Sequence, residues 1–142
     1  PQNPKTPWQA LKNLIKIMES LSFVVLGADW CGKSTIIAQI LHKYGEVSKR
    51  LLDKFEKESY EDGRTNKKFA WVTDRTRLER EWGMTIATLT FEFTTKHREY
   101  TCVSVPSHKD YVRNTIYGIH MAQSVVLTVN QESVIYLGKI RD

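Results

Sequence analysis

The chain of 142 residues is long enough for one domain with a hydrophobic core and too short for two. Hydrophobic residues are 41% and charged residues 26%, and no apolar run approaches the roughly 20 residues of a membrane span. The net charge of +5 is compatible with an anionic partner such as RNA, but a solvated surface is the better explanation of charge alone. Cys31 and Cys102 fall in a predicted loop and strand, which favours reduced thiols and a cytoplasmic setting.

The first half of the chain alternates apolar periodic segments with turn signals. Residues 1–20 begin with a helix-start signature, Thr6 and Pro7 followed by Gln9, and continue with apolar residues at helical spacing, which predicts an amphipathic helix. A buried strand is predicted over Leu21–Leu26, followed by a helix over Lys33–Tyr44 that Gly45 stops. A second helix is predicted over Ser48–Tyr60, with Leu51, Leu52 and Phe55 inward. A short charged helix follows, capped near Thr73 or Asp74 and ended by Gly83.

The second half predicts a hairpin, a helix and a last strand. Apolar and polar residues alternate over Thr85–Thr94, and a second strand-like run covers Tyr100–Val105, so the pair has the spacing of a hairpin. Residues Asp110–Gln123 have helical spacing, and Ser124–Val129 is predicted as another buried strand. This order predicts an α/β layered domain with a mixed sheet and flanking helices.

The loop after the first strand carries a motif with a chemical reason for each residue. Gly27, Gly32, Lys33 and Ser34 satisfy G-x-x-x-x-G-K-[ST] between a predicted strand and a predicted helix, which is the context that the motif requires. The glycines let backbone N–H groups converge on phosphate oxygens, the lysine neutralises the outer phosphates, and the serine hydroxyl coordinates Mg²⁺. The motif predicts a P-loop NTPase-like fold, with a tight turn and a chance lysine as the alternative.

Three residues inside this loop are of types that are unusual next to a phosphate. Asp29 puts a carboxylate beside a would-be triphosphate, which is unfavourable unless the side chain points away. Trp30 is bulky and fits only if it projects out of the loop, whereas Cys31 is small enough to fit. The predicted phosphate-binding residues are Gly27, Asp29, Cys31, Gly32, Lys33, Ser34 and Thr35.

Three stretches together resemble one family: "GKSTIIAQILHKYGEVSKRLLDKFEKES", "KKFAWVTDRTRLEREWGMTI" and "HKDYVRNTIYGIHMAQSVVLTV". They are similar, in order, to the G domain of the eukaryotic and archaeal translation elongation factor one-alpha, a translational GTPase. The resemblance implies GTP and GDP as ligands with Mg²⁺, and GTP hydrolysis after codon matching. It also implies tRNA or the ribosome as partners.

The resemblance assigns roles to individual residues of this chain. It implies that Lys33 contacts the phosphates and that Ser34 and Thr85 hold the Mg²⁺, with Thr85 in "GMTI" closing over the γ-phosphate. It also implies that His108 is the catalytic residue that positions the attacking water, because phosphoryl transfer depends mainly on positioning and charge.

The chain departs from the family pattern after the second hairpin strand. Where the family has Asp-x-Pro-Gly-His, this chain has Ser104, Val105, Pro106, Ser107 and His108. Ser104 lacks the carboxylate that helps to hold Mg²⁺ through water, and Ser107 replaces a glycine whose N–H approaches the γ-phosphate. In the loop, Trp30 replaces the aspartate of the family. We therefore expect GTP hydrolysis to be weak or lost.

The guanine-reading Asn-Lys-x-Asp motif of the family is not found in this sequence, so base specificity has no visible source. The expected organisation is an N-terminal helix over 1–20, a G domain truncated relative to the full family fold over 21–129, and a divergent tail over 130–142. A sheet that stopped there would expose an edge and an apolar face. We expect the strand-like segment Ser133–Ile140 to pair with that edge and the N-terminal helix to cover the face.

Two other functions are compatible with the sequence. The first is a non-catalytic pseudo-GTPase or interaction module, whose charged surfaces over Ser48–Tyr60 and Arg64–Arg80 contact proteins or RNA. The second is a different phosphate-loop enzyme, such as a kinase-like ATP-binding fold, which needs only residues 27–34 and does not explain the other matching stretches.

Overall fold

A strand of eight residues, β1 (Ser20–Gly27), is an inner strand of a four-stranded mixed sheet. The computed structural model describes residues 20–63 and 67–131 of the chain. The other strands are β2 (Leu89–Thr94), β3 (Glu99–Ser104) and β4 (Ser124–Thr128), and the sheet order is β2–β3–β1–β4. β3 and β4 run parallel to β1, whereas β2 pairs antiparallel with β3. The predicted mixed sheet and hairpin are confirmed.

Helices follow the strands in the predicted order. They are α1 (Lys33–Lys43), α2 (Lys49–Glu61), α3 (Ala70–Thr73), α4 (Arg77–Trp82) and α5 (Val112–His120), the last preceded by a 3₁₀ turn over Lys109–Tyr111. Ser48 caps α2 by accepting a hydrogen bond from the Leu51 N–H. Within the described ranges, no helix is long and apolar enough to cross a membrane.

The sheet is covered on both faces, because successive side chains of a strand point to opposite sides. Val25 of β1 packs in the larger cluster, which also contains Ile37 and Leu41 of α1, Phe91 and Phe93 of β2, and Cys102 of β3. Its neighbour Val24 packs on the other face, with Val103 and Val105. There α5 approaches closely at Gly118, where a Cβ would overlap the Val105 side chain. Packing on both faces therefore holds β1 in place, and with it the end of the sheet from which the loop after β1 projects.

The charged helix α4 begins later than the sequence predicts. Thr76, not Thr73 or Asp74, is its N-cap, and Glu79 completes a reciprocal capping box. Thr73 instead ends α3, a one-turn helix that the sequence did not predict. Gly83 ends α4 in the left-handed conformation, as predicted.

One predicted strand boundary and one prediction about burial were wrong. β2 begins at Leu89 rather than Thr85, because the backbone N–H groups of Ile86 and Ala87 bond to a side chain instead of a strand. β4 was predicted to be buried, yet Val125, Val126 and Leu127 are 55%, 43% and 68% exposed, since β4 is an edge of the sheet formed by the described residues.

Smaller differences concern helix faces and ends. Leu51 was predicted to face inward, but it is 37% exposed, whereas Leu52 is buried. The predicted helix Asp110–Gln123 is shorter at both ends. The predicted N-terminal helix, the tail segment Ser133–Ile140 and residues 64–66 of the charged region lie outside the described residues.

Candidate phosphate-binding site

The loop between β1 and α1 lies at the carboxyl end of the parallel strands, where ligands of open α/β sheets bind. Gly27 and Gly32 have φ values of 155° and 84°, in the region that favours glycine. Gly32 precedes the first residue of α1, and the Ile36 N–H bonds to its carbonyl oxygen at 2.9 Å. The two glycines therefore shape the loop and aim the N terminus of α1 into it.

The loop is tied to the edge strand β4 through Thr128. The Thr128 hydroxyl donates to the Leu26 carbonyl oxygen at 2.9 Å, and the Cys31 thiol lies 2.9 Å from the same hydroxyl oxygen. Since the hydroxyl proton is directed at Leu26, the thiol donates in the second contact. A Cβ on Gly27 would overlap the Thr128 carbonyl and hydroxyl oxygens and the Cys31 sulfur. Gly27 and Cys31 thus form the side of the loop that packs against Thr128 of β4.

Lys33 is buried, and its ammonium group lies inside the curve of the loop. Nζ donates to the carbonyl oxygens of Gly27 at 3.1 Å and Ala28 at 2.7 Å, and to the Cys31 sulfur at 3.8 Å. Burial lowers the pKa of Lys33, while the nearby Cys31 and Asp29 oppose that shift. A cation is thereby placed where a phosphate-binding loop needs it.

A chain of side-chain oxygens extends from the start of α1. The Thr85 hydroxyl donates to Asp74 Oδ1 at 3.0 Å, so the Ser34 hydroxyl, 3.2 Å from Thr85 Oγ1, donates to that oxygen. Asp74 is buried; burial raises the pKa of its carboxyl to about 6, although hydrogen bonds from Thr85 and Thr73 counteract the shift. The structure thus brings together Ser34 and Thr85, which the sequence singled out, and adds Asp74.

Sequence reasoning treated Asp74 only as a helix cap. Two hydroxyls and a carboxylate are hard oxygen donors of the kind that Mg²⁺ prefers, so this set fits the metal. In residues 20–63 and 67–131, no group of three or more His, Cys, Asp or Glu side chains could hold a metal ion. The available signal for Asp74 was a carboxylate two residues after the apolar pair Trp71 and Val72, both of which are buried.

Glu79 is a second residue that sequence reasoning missed. It is 0% exposed, and its Oε2 accepts hydrogen bonds from the Thr76 N–H and hydroxyl. Its Oε1 accepts from the N–H groups of Ile86 and Ala87 at 2.9 and 3.0 Å. Glu79 therefore fixes the segment directly after Thr85 and is a positioning residue for that hydroxyl.

These elements enclose a cavity of about 380 Å³ in front of the loop. Its lining includes most of the predicted site residues: Asp29, Gly32, Lys33, Ser34, Thr35, Thr85 and His108. Gly27 and Cys31 lie behind the loop and do not line the cavity. Lys67, Asp74 and Ser107 also line it. Residues far apart in the chain thus converge on one concavity.

His108 stands at the start of the 3₁₀ turn, on the rim opposite the loop. Its Nδ1 accepts a hydrogen bond from the Asp110 N–H at 3.3 Å and lies 3.4 Å from Asp110 Oδ2. These contacts with Asp110 hold the His108 imidazole against the 3₁₀ turn that it begins.

The residues that depart from the family pattern take three different positions. Ser104 is buried in the sheet at the end of β3, whereas the Ser107 hydroxyl reaches across the cavity and donates to Asp29 Oδ1. Trp30 has a φ of 64° and is 69% exposed, outside the loop as the sequence allowed. Lys67 Nζ lies 4.6 Å from its ring centroid, a cation–π contact at the mouth of the cavity.

The fold and the loop define the class of the protein: a phosphate-loop α/β domain with a mixed sheet. The family model of the elongation factor Tu GTP-binding domain matches residues 18–134, and the chain belongs to this family. It is 40% identical over 114 residues to elongation factor 1-alpha 1 of Euplotes crassus, and 38% identical over 109 residues to elongation factor 1-alpha of Tetrahymena pyriformis. These matches cover 80% and 77% of this chain, which spans about a quarter of the length of those relatives.

Solved structures show the same fold at lower sequence identity. The GTPase-like domain of Ski7 from S. cerevisiae, bound to GTP, is similar with a TM-score of 0.71 and 23% identity, over 80% of this chain and 26% of that one. A second structure of that domain, bound to GDP and inorganic phosphate, has a TM-score of 0.70, also at 23% identity, over 78% of this chain and 25% of that one. At this sequence identity, the similarity shows that the fold is shared.

Proposed function

We propose that this chain binds GTP and GDP, with Mg²⁺, in the cavity in front of the phosphate loop. The observation that carries the proposal is the buried ammonium group of Lys33, held inside a loop whose glycines adopt the conformations that such a loop needs. Membership of a GTP-binding domain family supports guanine nucleotides over other phosphate ligands. On binding, phosphate oxygens accept hydrogen bonds from the Lys33 ammonium group.

The remaining predicted residues divide into two groups under this proposal. Gly27, Asp29, Cys31, Gly32 and Thr35 belong to the loop and the first turn of α1, where backbone N–H groups and the helix dipole face the phosphates. Ser34 and Thr85 would supply hydroxyl oxygens to Mg²⁺, and Asp74, which accepts a hydrogen bond from Thr85, would supply a carboxylate. The metal neutralises phosphate charge when bound. The chain's own residues orient the phosphates and exclude water from Lys33.

We further propose that hydrolysis is weak or absent, with His108 as the only predicted catalytic residue. Two observations favour this pseudo-GTPase form. Ser104 is a buried hydroxyl where the family places a carboxylate, and Ser107 is tied to Asp29 across the cavity. An elongation-factor-like role with tRNA or the ribosome, in the cytoplasm, follows from the family relationship and stays a proposal for this chain.

Equilibrium titration with fluorescent analogues of GDP and GTP, with and without Mg²⁺, tests nucleotide binding directly. Lys33→Ala should weaken binding at least about 100-fold, because the only lysine inside the loop is removed. Lys43→Ala, an exposed lysine at the end of the same helix, is the matched control and should leave the affinity unchanged. Absence of binding by the wild-type chain at near-millimolar nucleotide would overturn the proposal.

Base specificity and hydrolysis need separate measurements. Competition between GTP and ATP for the fluorescent analogue tests whether guanine is preferred. Phosphate release in a single turnover tests hydrolysis. We expect Ser104→Asp combined with Ser107→Gly to strengthen Mg²⁺-dependent binding. An unchanged affinity would show that these two positions do not limit the site.

A further inference from the structure

We propose that the contact between Asp29 and Ser107 makes the cavity selective for nucleoside diphosphates over nucleoside triphosphates. The two residues are 78 positions apart in the sequence and join opposite walls of the cavity, the phosphate loop and the segment after β3. The inference rests on the proposed function. It states that this pair of residues determines whether the cavity prefers a diphosphate or a triphosphate.

Asp29 lines the cavity and accepts a hydrogen bond from the Ser107 hydroxyl. It belongs to the same loop as the Lys33 ammonium group, and its charge acts on that lysine. In a loop of this kind the lysine reaches the outer phosphates. A carboxylate on the same lining therefore faces the outermost phosphate first.

Ser107 is held on both sides, so it can act as an anchor. The carbonyl oxygen of Pro106, directly before it, accepts a hydrogen bond of 2.8 Å from the Thr115 hydroxyl of α5. His108, directly after it, caps the 3₁₀ turn. Because its backbone is fixed, the Ser107 hydroxyl holds the exposed Asp29 carboxylate at the lining of the cavity.

The charges around the cavity favour the smaller anion. Lys33 and Lys67 supply two positive charges to the lining, and Asp29 and Asp74 supply two negative ones when both are ionised. A third phosphate adds about one further negative charge close to Asp29, and like charges at such a separation repel even in a partly solvated site. A diphosphate uses the loop and Lys33 without approaching the contact between Asp29 and Ser107.

The test compares affinities for fluorescent GDP and for a non-hydrolysable fluorescent GTP analogue in Mg²⁺. The wild-type chain should bind the diphosphate at least about tenfold more tightly, a ratio reduced from the unscreened value because Asp29 is exposed. Asp29→Asn keeps an acceptor for Ser107 and removes only the charge. It should tighten triphosphate binding about tenfold and change diphosphate binding less than about threefold.

Two further variants separate the charge from its anchor. Ser107→Ala keeps the charge but frees the carboxylate, so it should recover only part of the triphosphate affinity. Asp53→Asn, which neutralises an exposed carboxylate of α2, is the control for net charge and should leave both affinities unchanged. A diphosphate-to-triphosphate ratio that Asp29→Asn does not change overturns the inference alone. If neither nucleotide binds, the proposed function falls as well.

Discussion

The ammonium group of Lys33 shows how a motif residue depends on partners that the motif does not name. Its position in G-x-x-x-x-G-K-[ST] predicts a phosphate contact. The structure adds its acceptors, the carbonyl oxygens of Gly27 and Ala28 and the sulfur of Cys31. These acceptors explain how the buried cation is stabilised, since a buried charge without partners is costly.

Gly27 is the residue where substitution should do most damage to the loop. In Gly27→Ala the new Cβ would overlap backbone and side-chain oxygens of Thr128, and the φ of 155° disfavours any side chain. We expect a loss of roughly 2 to 4 kcal/mol in the free energy of unfolding, together with weaker nucleotide binding. Chemical denaturation and the fluorescent titration measure the two effects.

Gly45→Ala is the matched control for this prediction. Gly45 also has a positive φ, 88°, but a Cβ there meets nothing within 4 Å among the described residues. Only the backbone strain remains, so about 1 kcal/mol should be lost and nucleotide affinity should not change. Equal losses for both variants would contradict the role of close packing at Gly27.

At the scale of elements, Glu79 joins α4 to the segment that carries Thr85. The sequence contains the capping signature Thr76-x-x-Glu79, and sequence reasoning nevertheless placed the cap earlier, near Thr73 or Asp74. The second half of the role was not visible in the sequence, because the N–H groups of Ile86 and Ala87 reach Glu79 only in the folded chain. The same bonds explain why β2 starts at Leu89 although the alternation of residues begins at Thr85.

Glu79 should make the stability of the protein depend on pH on the acid side. Burial alone would raise the pKa of its carboxyl, but hydrogen bonds from the backbone of Ala87, Thr76 and Ile86 and from the Thr76 hydroxyl lower it below the ordinary 4.5. Since the folded-state pKa is depressed, this stabilisation is present above the unfolded pKa and is lost as pH falls through the folded pKa. Denaturation curves measured below neutral pH follow the loss.

Glu79→Gln turns one carboxylate oxygen into an amide that faces N–H donors. We expect it to cost roughly 2 kcal/mol near neutral pH and to reduce the acid-side slope of the free energy of unfolding. Glu81→Gln is the control: it changes an exposed carboxylate of the same helix, paired with Arg77, and should cost less than about 0.5 kcal/mol. A slope that Glu79→Gln leaves unchanged would assign the acid sensitivity to other groups.

At the scale of the whole molecule, apolar side chains remain on the surface around β4. They are Val125, Val126, Leu127 and Val129, with Ile116, Tyr117 and Ile119 of the helix α5. Exposed apolar side chains concentrated on neighbouring elements commonly mark a contact with another element. The sequence predicted this exposure, because a sheet that ends after the last strand leaves an edge and an apolar face uncovered. It also predicted two segments that could cover them, the N-terminal helix and Ser133–Ile140. Both segments lie outside the described residues, so their contact with this surface stays a proposal.

Deletion of residues 1–19, which leaves all of β1 in place, tests the covering role of the predicted N-terminal helix. We expect the midpoint of thermal unfolding to fall by about 4 °C or more and binding of a hydrophobic dye to rise, because apolar surface loses its cover. Deletion of residues 1–5, which precede the predicted cap at Thr6, is the control and should change neither. If the longer deletion also left solubility and the unfolding midpoint unchanged, the helix would have no covering role.

The sequence by itself determined the order of the strands and of the helices other than α3, because these depend on the local spacing of apolar residues. The resemblance of three stretches determined the family, and the motif G-x-x-x-x-G-K-[ST] predicted the phosphate loop. Only the tertiary structure decided which distant groups meet: Asp74 with Thr85, Glu79 with the segment after Thr85, and Ser107 with Asp29. Each pair is separated by other elements of the chain, and hydrophobic packing of the sheet and helices sets its distance. For that reason the loop could be recognised from its residues, whereas the wall opposite it could not.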